Sequence, residues 1–191
     1  YFFSDPSPLI EEMGEKSVLI TSHRYSPEYD QTKTSGIYCV QFMTFKNNPD
    51  GLNALNWWCN ACLEWCYARF EDGKFGDQKY LDDWPVRFDG VHVLQNLGGG
   101  VAPWNVQQYN WHSEKTRLIF YHFHGLRFLK KDRVEFGAYR LRKTDVQRIY
   151  IPYLRHIESI NAKIKKYDSN YDYNGTINSR SLKSCLYNLK R

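Results

Sequence analysis

The chain is predicted to fold as an α/β domain, a mixed sheet with helices packed against it. Three observations carry this expectation. Short runs of β-branched and aromatic residues alternate with longer stretches at helical spacing, the order that lays helices on a sheet. The length, 191 residues, suits one domain or a large part of one. The composition is 42% hydrophobic, enough for a sizeable core, and its 17% aromatic content supplies large side chains to fill that core or to stack on sugar rings and bases.

The elements follow in order. Residues 7–14 read as a short helix, with Ser7 as its cap, Pro8 at the first position and Gly14 at its end. Residues 17–21 form a short buried strand that leads into His23-Arg24-Tyr25, a polar loop that either faces a ligand or is simply solvated. Residues 31–35 are loop, and 36–45 are the clearest strand, with no breaker after Gly36. Asn47-Asn48-Pro49-Asp50 opens a long helix over about 51–70. Leu52, Leu55, Cys59, Cys62, Leu63 and Cys66 mark its buried side, and Trp57, Trp58 and Trp65 widen the apolar face.

In the next loop, Gly73 and Gly76 free the backbone ahead of the acid–amide pair Asp77-Gln78. Asp77 is placed to cap a short helix that Pro85 ends. Residues 91–94 are a strand. Gly98-Gly99-Gly100 then reads as a mobile loop beside Trp104; a phosphate cradle is the weaker alternative, since the lysine of a P-loop is missing. Trp111 and His112 close this segment. Residues 118–123 read as a strand running into His122 and His124, 133–142 as an exposed strand or hairpin, and 152–167 as a helix marked by Ile151, Leu154, Ile157 and Ile164. From Asp168 the chain is polar and linker-like. Leu182, Cys185, Leu186 and Leu189 then share one face of a basic segment, 179–191. The expected division is a domain over 1–167 and a linker with basic tail over 168–191.

The formal charge is +5, with acids concentrated before Asp89 and basic residues after Lys115. A basic second half suits anionic partners such as nucleotide phosphates or acidic lipids. Nucleic acid is not expected, because no binding motif or dense basic run occurs. The five cysteines are an odd number, which argues against a disulfide scaffold and for a reducing cytoplasm. Cys59, Cys62 and Cys66 fit a buried helix face better than a zinc site, which wants four ligands. No apolar run approaches the ~20 residues that span a bilayer.

Four stretches resemble a known family in order and rough spacing, over about residues 1–130. Gly76-Asp77-Gln78-x-x-Leu81 is similar to the G-D-Q-x-x-L segment of GT-A-type nucleotide-sugar glycosyltransferases. More narrowly, the chain resembles bacterial glycosyltransferase-like proteins of cell-surface polysaccharide synthesis, distantly similar to family 8. Tyr1-Phe2-Phe3-Ser4-Asp5-Pro6 resembles the segment after the family's Asp-x-Asp metal motif. Ser35-Gly36-Ile37-Tyr38-Cys39-Val40-Gln41-Phe42 resembles the strand that carries its Asn-Ala-Gly-like word, and His122-Phe123-His124-Gly125 its late metal-binding His-x-x-Gly word. The Asp-x-Asp motif itself is absent, Thr34-Ser35-Gly36 replaces the Asn-Ala-Gly word, and no Lys-Pro-Trp follows His122.

The resemblance implies the C-terminal part of a GT-A-like nucleotide-diphospho-sugar transferase fold. It implies transfer of a sugar from a nucleotide-sugar donor to a bacterial surface glycan or lipid-linked glycan acceptor, in a longer enzyme; the isolated chain is expected to be inactive. Asp77 and Gln78 would hold sugar hydroxyls in the catalytic site. Gly36, Gly76, Trp104, Asn105 and Gly125 would bind substrate, and His122 would ligate Mn²⁺ or Mg²⁺. The expected location is cytoplasmic, with weak peripheral contact of 179–191 to anionic membrane at the inner face. Two other classes stand beside this one. His122 and His124, at i and i+2 of a strand, would share a face as in a metal-dependent hydrolase, with His92 or Asp77 as further ligands. Interleaved aromatic and basic residues could also make a non-catalytic carbohydrate- or nucleic-acid-binding module.

Overall fold

The computed structural model describes residues 1–110, 117–129 and 133–171. Trp111, His112 and the 179–191 segment lie outside the described residues, as does the expected linker beyond Tyr171. Two units emerge, Tyr1–His122 and Phe123–Arg191.

In the first unit the elements run α1 (Ser7–Met13), β1 (Val18–Ser22), a 3₁₀ turn (Pro27–Tyr29), α2 (Thr32–Ser35), β2 (Tyr38–Phe45) and α3 (Pro49–Glu64). A 3₁₀ segment (Lys79–Asp83), α4 (Trp84–Arg87), β3 (Val91–Val93) and a last 3₁₀ turn (Val106–Gln108) follow. The sheet order is β2-β1-β3, with β1 antiparallel to β2 and parallel to β3. This is the mixed sheet with flanking helices that the alternation of elements predicts.

The core forms on both faces of β1. Leu19 points to one side, among Leu9 and Met13 of α1 and Leu94, Ile119 and Phe120. Val18 and Ile20 point to the other, among Ala54 of α3, Leu81 and Trp84. Two-sided burial explains why β1 reads as an unbroken apolar run instead of an alternating one.

The β1–β2 register breaks in the middle. Leu19 pairs with Thr44, but Thr21 pairs with Cys39, so residues 40–43 of β2 stand opposite Ile20 alone. The Thr21 hydroxyl donates to the Phe42 carbonyl at 2.8 Å and pins this bulge. Bulges re-aim side chains, and here Phe42 joins the α1 side of the core while Val40 and Met43 pack on the α3 side.

The structure corrects α3 in length and in face. It ends at Glu64 instead of about 70, and the chain leaves it extended at Trp65. Asn48 caps its start, its side-chain oxygen accepting from the Gly51 amide at 2.9 Å. Its contact with the sheet is made by Gly51 and Ala54, both buried, with Trp57 and Trp58 packed beside them. Leu52 and Cys59 are exposed, and Leu63 is 81% exposed. The indoles won the inner face because each buries far more apolar area than a thiol. They meet edge-to-face on Trp84, which is fully buried, at 6.5 Å from Trp57 and 6.0 Å from Trp58.

Smaller differences have local causes. Ser7 lies inside α1, and Asp5 performs the capping, its carboxylate accepting from the Ser7 amide at 2.9 Å. Residues 32–35 are a helical turn started the same way by Asp30, which accepts from the Thr32 amide at 2.8 Å. Pro85 does not end the helix after Asp77; it sits in the first turn of α4, where its missing N–H costs nothing. Residues 118–123 make only isolated bridges, Phe2 with Phe120 and Val101 with Tyr121.

In the second unit, β4 (Arg127–Leu129) pairs antiparallel with β5 (Arg133–Glu135); of the expected 133–142 strand or hairpin only 133–135 is strand, and its partner precedes it. Lys143–Asp145 (α5) and a π-helical turn, Val146–Tyr150, lead into α6 (Ile151–Ile164), close to the expected 152–167 helix. Tyr150 is fully buried against Phe123 and Phe136, at 5.1 and 4.8 Å between ring centres.

Trp84→Ala should lower unfolding free energy by about 3–5 kcal/mol, because it empties the centre of the indole cluster. Leu63→Ser should stay within about 0.5 kcal/mol of the parent. Urea midpoints of the two variants check both; a Leu63→Ser midpoint as low as that of Trp84→Ala would contradict the observed face of α3.

Candidate functional site

Two of the resembling stretches, 34–37 and 76–81, are brought together by Asp82. Its Oδ1 accepts from the Ile37 amide at 2.7 Å, and its Oδ2 pairs with Lys79 Nζ at 2.7 Å. Lys79 Nζ also donates to the Thr32 carbonyl at 3.0 Å. Both groups are largely shielded from water, so this pair is better protected from screening than a surface pair. Gly36 fits under it because it has no side chain. A Cβ there would lie 2.8 Å from Asp82 Oδ1, and its φ of 100° is one that glycine tolerates.

His23 lies beside this junction. Its amide donates to the Ile37 carbonyl at 2.9 Å. Its own carbonyl accepts from Trp104 Nε1 and from Asn105 Nδ2, each at 2.8 Å. The imidazole stacks on Tyr25 at 4.5 Å and tilts against Trp104 at 5.4 Å. It is only 2% exposed, and its Nδ1 has no hydrogen-bond partner. Burial pulls its pKa down from 6.5 to about 4, against the nearby backbone of Ile37 and Gly36 and the Asp82 charge, which favour the protonated form; His122 adds to the lowering. His23 is therefore neutral at pH 7, able to donate through one ring nitrogen and accept through the other.

A surface groove of about 350 Å³ opens next to these residues, lined by Ser22, Arg24, Tyr25, Pro27, Asp30, Thr32 and Ile37. Arg24 holds its wall in place. Its φ of 48° is unusual for a side-chain-bearing residue, and its guanidinium offsets that strain by donating to the carbonyls of Leu94 at 2.6 Å and Gly99 at 2.8 Å. The glycine triplet is packed instead of mobile. A Cβ would meet Arg117 O at 2.2 Å from Gly98, Leu94 Cδ2 at 2.7 Å from Gly99 and Thr21 Cγ2 at 2.6 Å from Gly100. Close approach, not phosphate binding, accounts for these three glycines.

The expected site residues take different places. Asp77 does not cap the following helix, whose N-cap is Gln78 without a side-chain bond. Its carbonyl instead accepts from Trp58 Nε1 at 2.8 Å, which hangs the 76–78 loop on α3. Gly76 supplies a φ of 53°, and a Cβ there would meet nothing within 4 Å. Trp104 is 4% exposed, its ring 5.9 Å from that of Tyr25, a lining residue of the groove. Asn105 is fully buried, its amide also donating to Gly100 O at 2.9 Å and its oxygen accepting from the Ala102 amide at 2.9 Å. His122 meets the Trp104 ring edge-on at 5.5 Å. Gly125, in the second unit, lies against Gly137; a Cβ there would be 3.4 Å from the Gly137 Cα.

The backbone at 122–124 is not a strand, and His124 sits in a turn with its ring on Tyr139, so the i, i+2 argument for a shared histidine face does not hold. His92 is committed elsewhere, its Nε2 bonded to Glu12 at 2.7 Å. Among the described residues no group of three or more His, Cys, Asp or Glu side chains could hold a metal ion. His122 belongs to no such group among the described residues.

Three participants escaped the sequence reading. Lys79 and Asp82 sit three apart, a spacing that makes helical neighbours, and this signal was available. Gln41 stands in the β2 bulge with both ends of its buried amide unpartnered, its Nε2 3.6 Å from where a Gly100 Cβ would be. A glutamine between Val40 and Phe42 in a largely apolar strand was the clue. The Gln41 amide and the His23 ring both border the Gly100–Asn105 segment.

No family model matches the chain, and no solved structure does. Two proteins of Bacillus subtilis (strain 168) are similar to it. The uncharacterized protein YfnD is 31% identical over 175 residues, which cover 83% of this chain and 55% of YfnD. The uncharacterized protein YfnF is 31% identical over 175 residues, covering 82% of this chain and 57% of YfnF. The chain thus spans about half the length of these curated relatives.

The His23 environment makes stability depend on pH. The folded-state value is depressed, so the unfolded chain takes up the proton first. The contribution of this site is complete above about 6.5 and is lost as pH falls toward about 4. The slope is about 1.4 kcal/mol per pH unit. Urea midpoints at pH 7.5 and pH 5 should therefore fall less for His23→Phe than for the parent; equal falls would remove His23 from the account. Asp82→Asn should cost about 1–3 kcal/mol by unpairing Lys79 and weakening the bond to Ile37, measured in the same way at pH 7.5.

Proposed function

We propose that this chain is part of a glycosyltransferase that moves a sugar from a nucleotide-activated donor to a bacterial surface glycan, free or lipid-linked. One observation carries the reading. The Gly36–Ile37 and Gly76–Leu81 stretches, each similar to a word of the GT-A-type family, converge through Asp82, beside a groove and a neutral buried histidine. The GT-A assignment of the mixed sheet is part of the same proposal.

Sugar transfer needs hydroxyls held by dense polar groups, and Asp77 and Gln78 on their short loop supply a carboxylate and an amide for that purpose. Gly36 and Gly76 let the backbone of both stretches adopt its positive-φ turns, and Trp104 and Asn105 both donate to the His23 carbonyl. Transfer also needs the leaving diphosphate neutralised. In this proposal Mn²⁺ or Mg²⁺ does so in the longer protein, with His122 as one ligand and carboxylates from outside the described residues as the others. No helix among the described residues is long and apolar enough to cross a membrane. Contact of 179–191 with anionic lipid, and a cytoplasmic location, remain part of the proposal.

The test uses a protein of the length of the relatives and a panel of nucleotide-activated sugars, with release of the nucleotide as readout. Asp77→Asn should lower turnover at least about tenfold with a melting curve like the parent's, and His122→Ala should weaken Mn²⁺ binding. Full specific activity together with early melting in Asp77→Asn would assign that residue to the fold. Sugar binding without turnover by the parent would replace transferase with a carbohydrate-binding module.

A further inference from the structure

In the order β2-β1-β3 the edges of the sheet are β2 and β3, and they are finished differently. β3 is three residues long. The Leu94 amide donates to Ile20 O at 2.9 Å, so Leu94 faces β1 and Val93 faces outward. The Val93 carbonyl is capped there by Gln95 Nε2 at 2.8 Å. A short strand with a side-chain cap is closed to another chain.

β2 has neither protection. It is eight residues long, with no charged residue and no proline. The His23 amide donates to Ile37 O at 2.9 Å, and the Lys46 amide to Ser17 O at 2.8 Å. Thr21–Cys39 and Leu19–Thr44 are therefore hydrogen-bonded pairs of the ladder. The N–H and C=O of Tyr38 and Phe45 then point away from β1, and by alternation so do those of Val40 and Met43. Among the described residues no loop or helix bonds these groups. Both faces of β2 are already occupied. Tyr38, Val40, Met43 and Phe45 pack on the α3 side, and Phe42 on the α1 side. Yet only Cys39 of the eight is buried, whereas β1, with a strand on each side, is buried at four of its five positions. What remains uncovered is the edge, and a strand in the plane of the sheet completes it.

We propose that β2 is an inner strand of the longer protein, its free edge taken by a strand from outside residues 1–191. The match covers 55% of YfnD and 57% of YfnF, so nearly half of each relative lies beyond it and can supply that strand. The absence of charge agrees, because an edge that stays in water is commonly guarded by lysine or other charged side chains. The bulge divides the edge, so the incoming strand pairs in two short stretches, 38–40 and 43–45. The inference rests on the reading that this chain is part of a longer protein, and not on sugar transfer.

The experiment compares amide hydrogen exchange, residue by residue, in this chain and in a protein of the relatives' length that contains it. In this chain the Tyr38, Val40, Met43 and Phe45 amides should exchange at least about a hundredfold faster than those of Cys39 and Thr44, which are bonded to β1. In the longer protein that difference should shrink below about tenfold. Nuclear Overhauser contacts from the Tyr38 and Val40 amides should then lead to residues outside this chain. Outward amides that stay fast in the longer protein would overturn the proposal. So would protection already present in this chain, as a monomer or as a dimer joined at β2. Slow outward amides in a longer protein that releases no nucleotide would keep the edge assignment and remove only the transferase.

Discussion

Burial of β1 on both faces is the constraint on which the first unit depends. A strand with apolar side chains on each side must be sandwiched, and the chain meets this with α1 on one face and α3 with Trp84 on the other. The consequence is that polar chemistry can gather only where the strand runs out. Ser22, His23 and Arg24 mark that exit. The groove opens there, and Ile37, just before β2, is one of its lining residues.

The bulge in β2 and the Asp82 anchor are two answers to the same crowding. Four residues of β2 stand opposite Ile20 alone, and Thr21 fastens the excess through Phe42. This turns Gln41 toward the glycine triplet, where three residues lack side chains because neighbouring atoms fill the space. At the other end of β2, Asp82 reaches across 45 residues of sequence to bond Ile37. It thereby couples the position of the 76–81 segment to the mouth of the groove. An ion pair shielded from solvent would cost stability unless its remaining polar capacity were filled. Here the Ile37 amide and the Thr32 carbonyl fill it.

Around His23 the backbone, rather than the side chain, does most of the bracing. Its amide and carbonyl hold Ile37, Trp104 and Asn105, while the imidazole is buried, neutral and unpartnered at Nδ1. Backbone bonds surround His23, while its Nδ1 and the Gln41 amide have no protein partner. Trp104 and Asn105, which the resemblance assigns to substrate, both donate to the His23 carbonyl.

Much of the architecture was legible in the sequence because its signals are local. The β-branched run at 36–45, the Asn-Pro opening of α3, the helical spacing of Ile151, Leu154 and Ile157, and the glycine after α1 each report backbone preference within a few residues. The inner face of α3 was not legible in this way. Cysteines and leucines at helical spacing matched one face and indoles another, and only the buried Trp84, some twenty-five residues away, chose between them. The site shows the same split. Asp77, Gln78 and Gly36 stood out as residue types on loops, but the contact that joins their segments belongs to Asp82 and Lys79. The burial of Trp104 and Asn105 was decided by tertiary packing, because burial and hydrogen-bond partners at a distance leave no mark on local pattern.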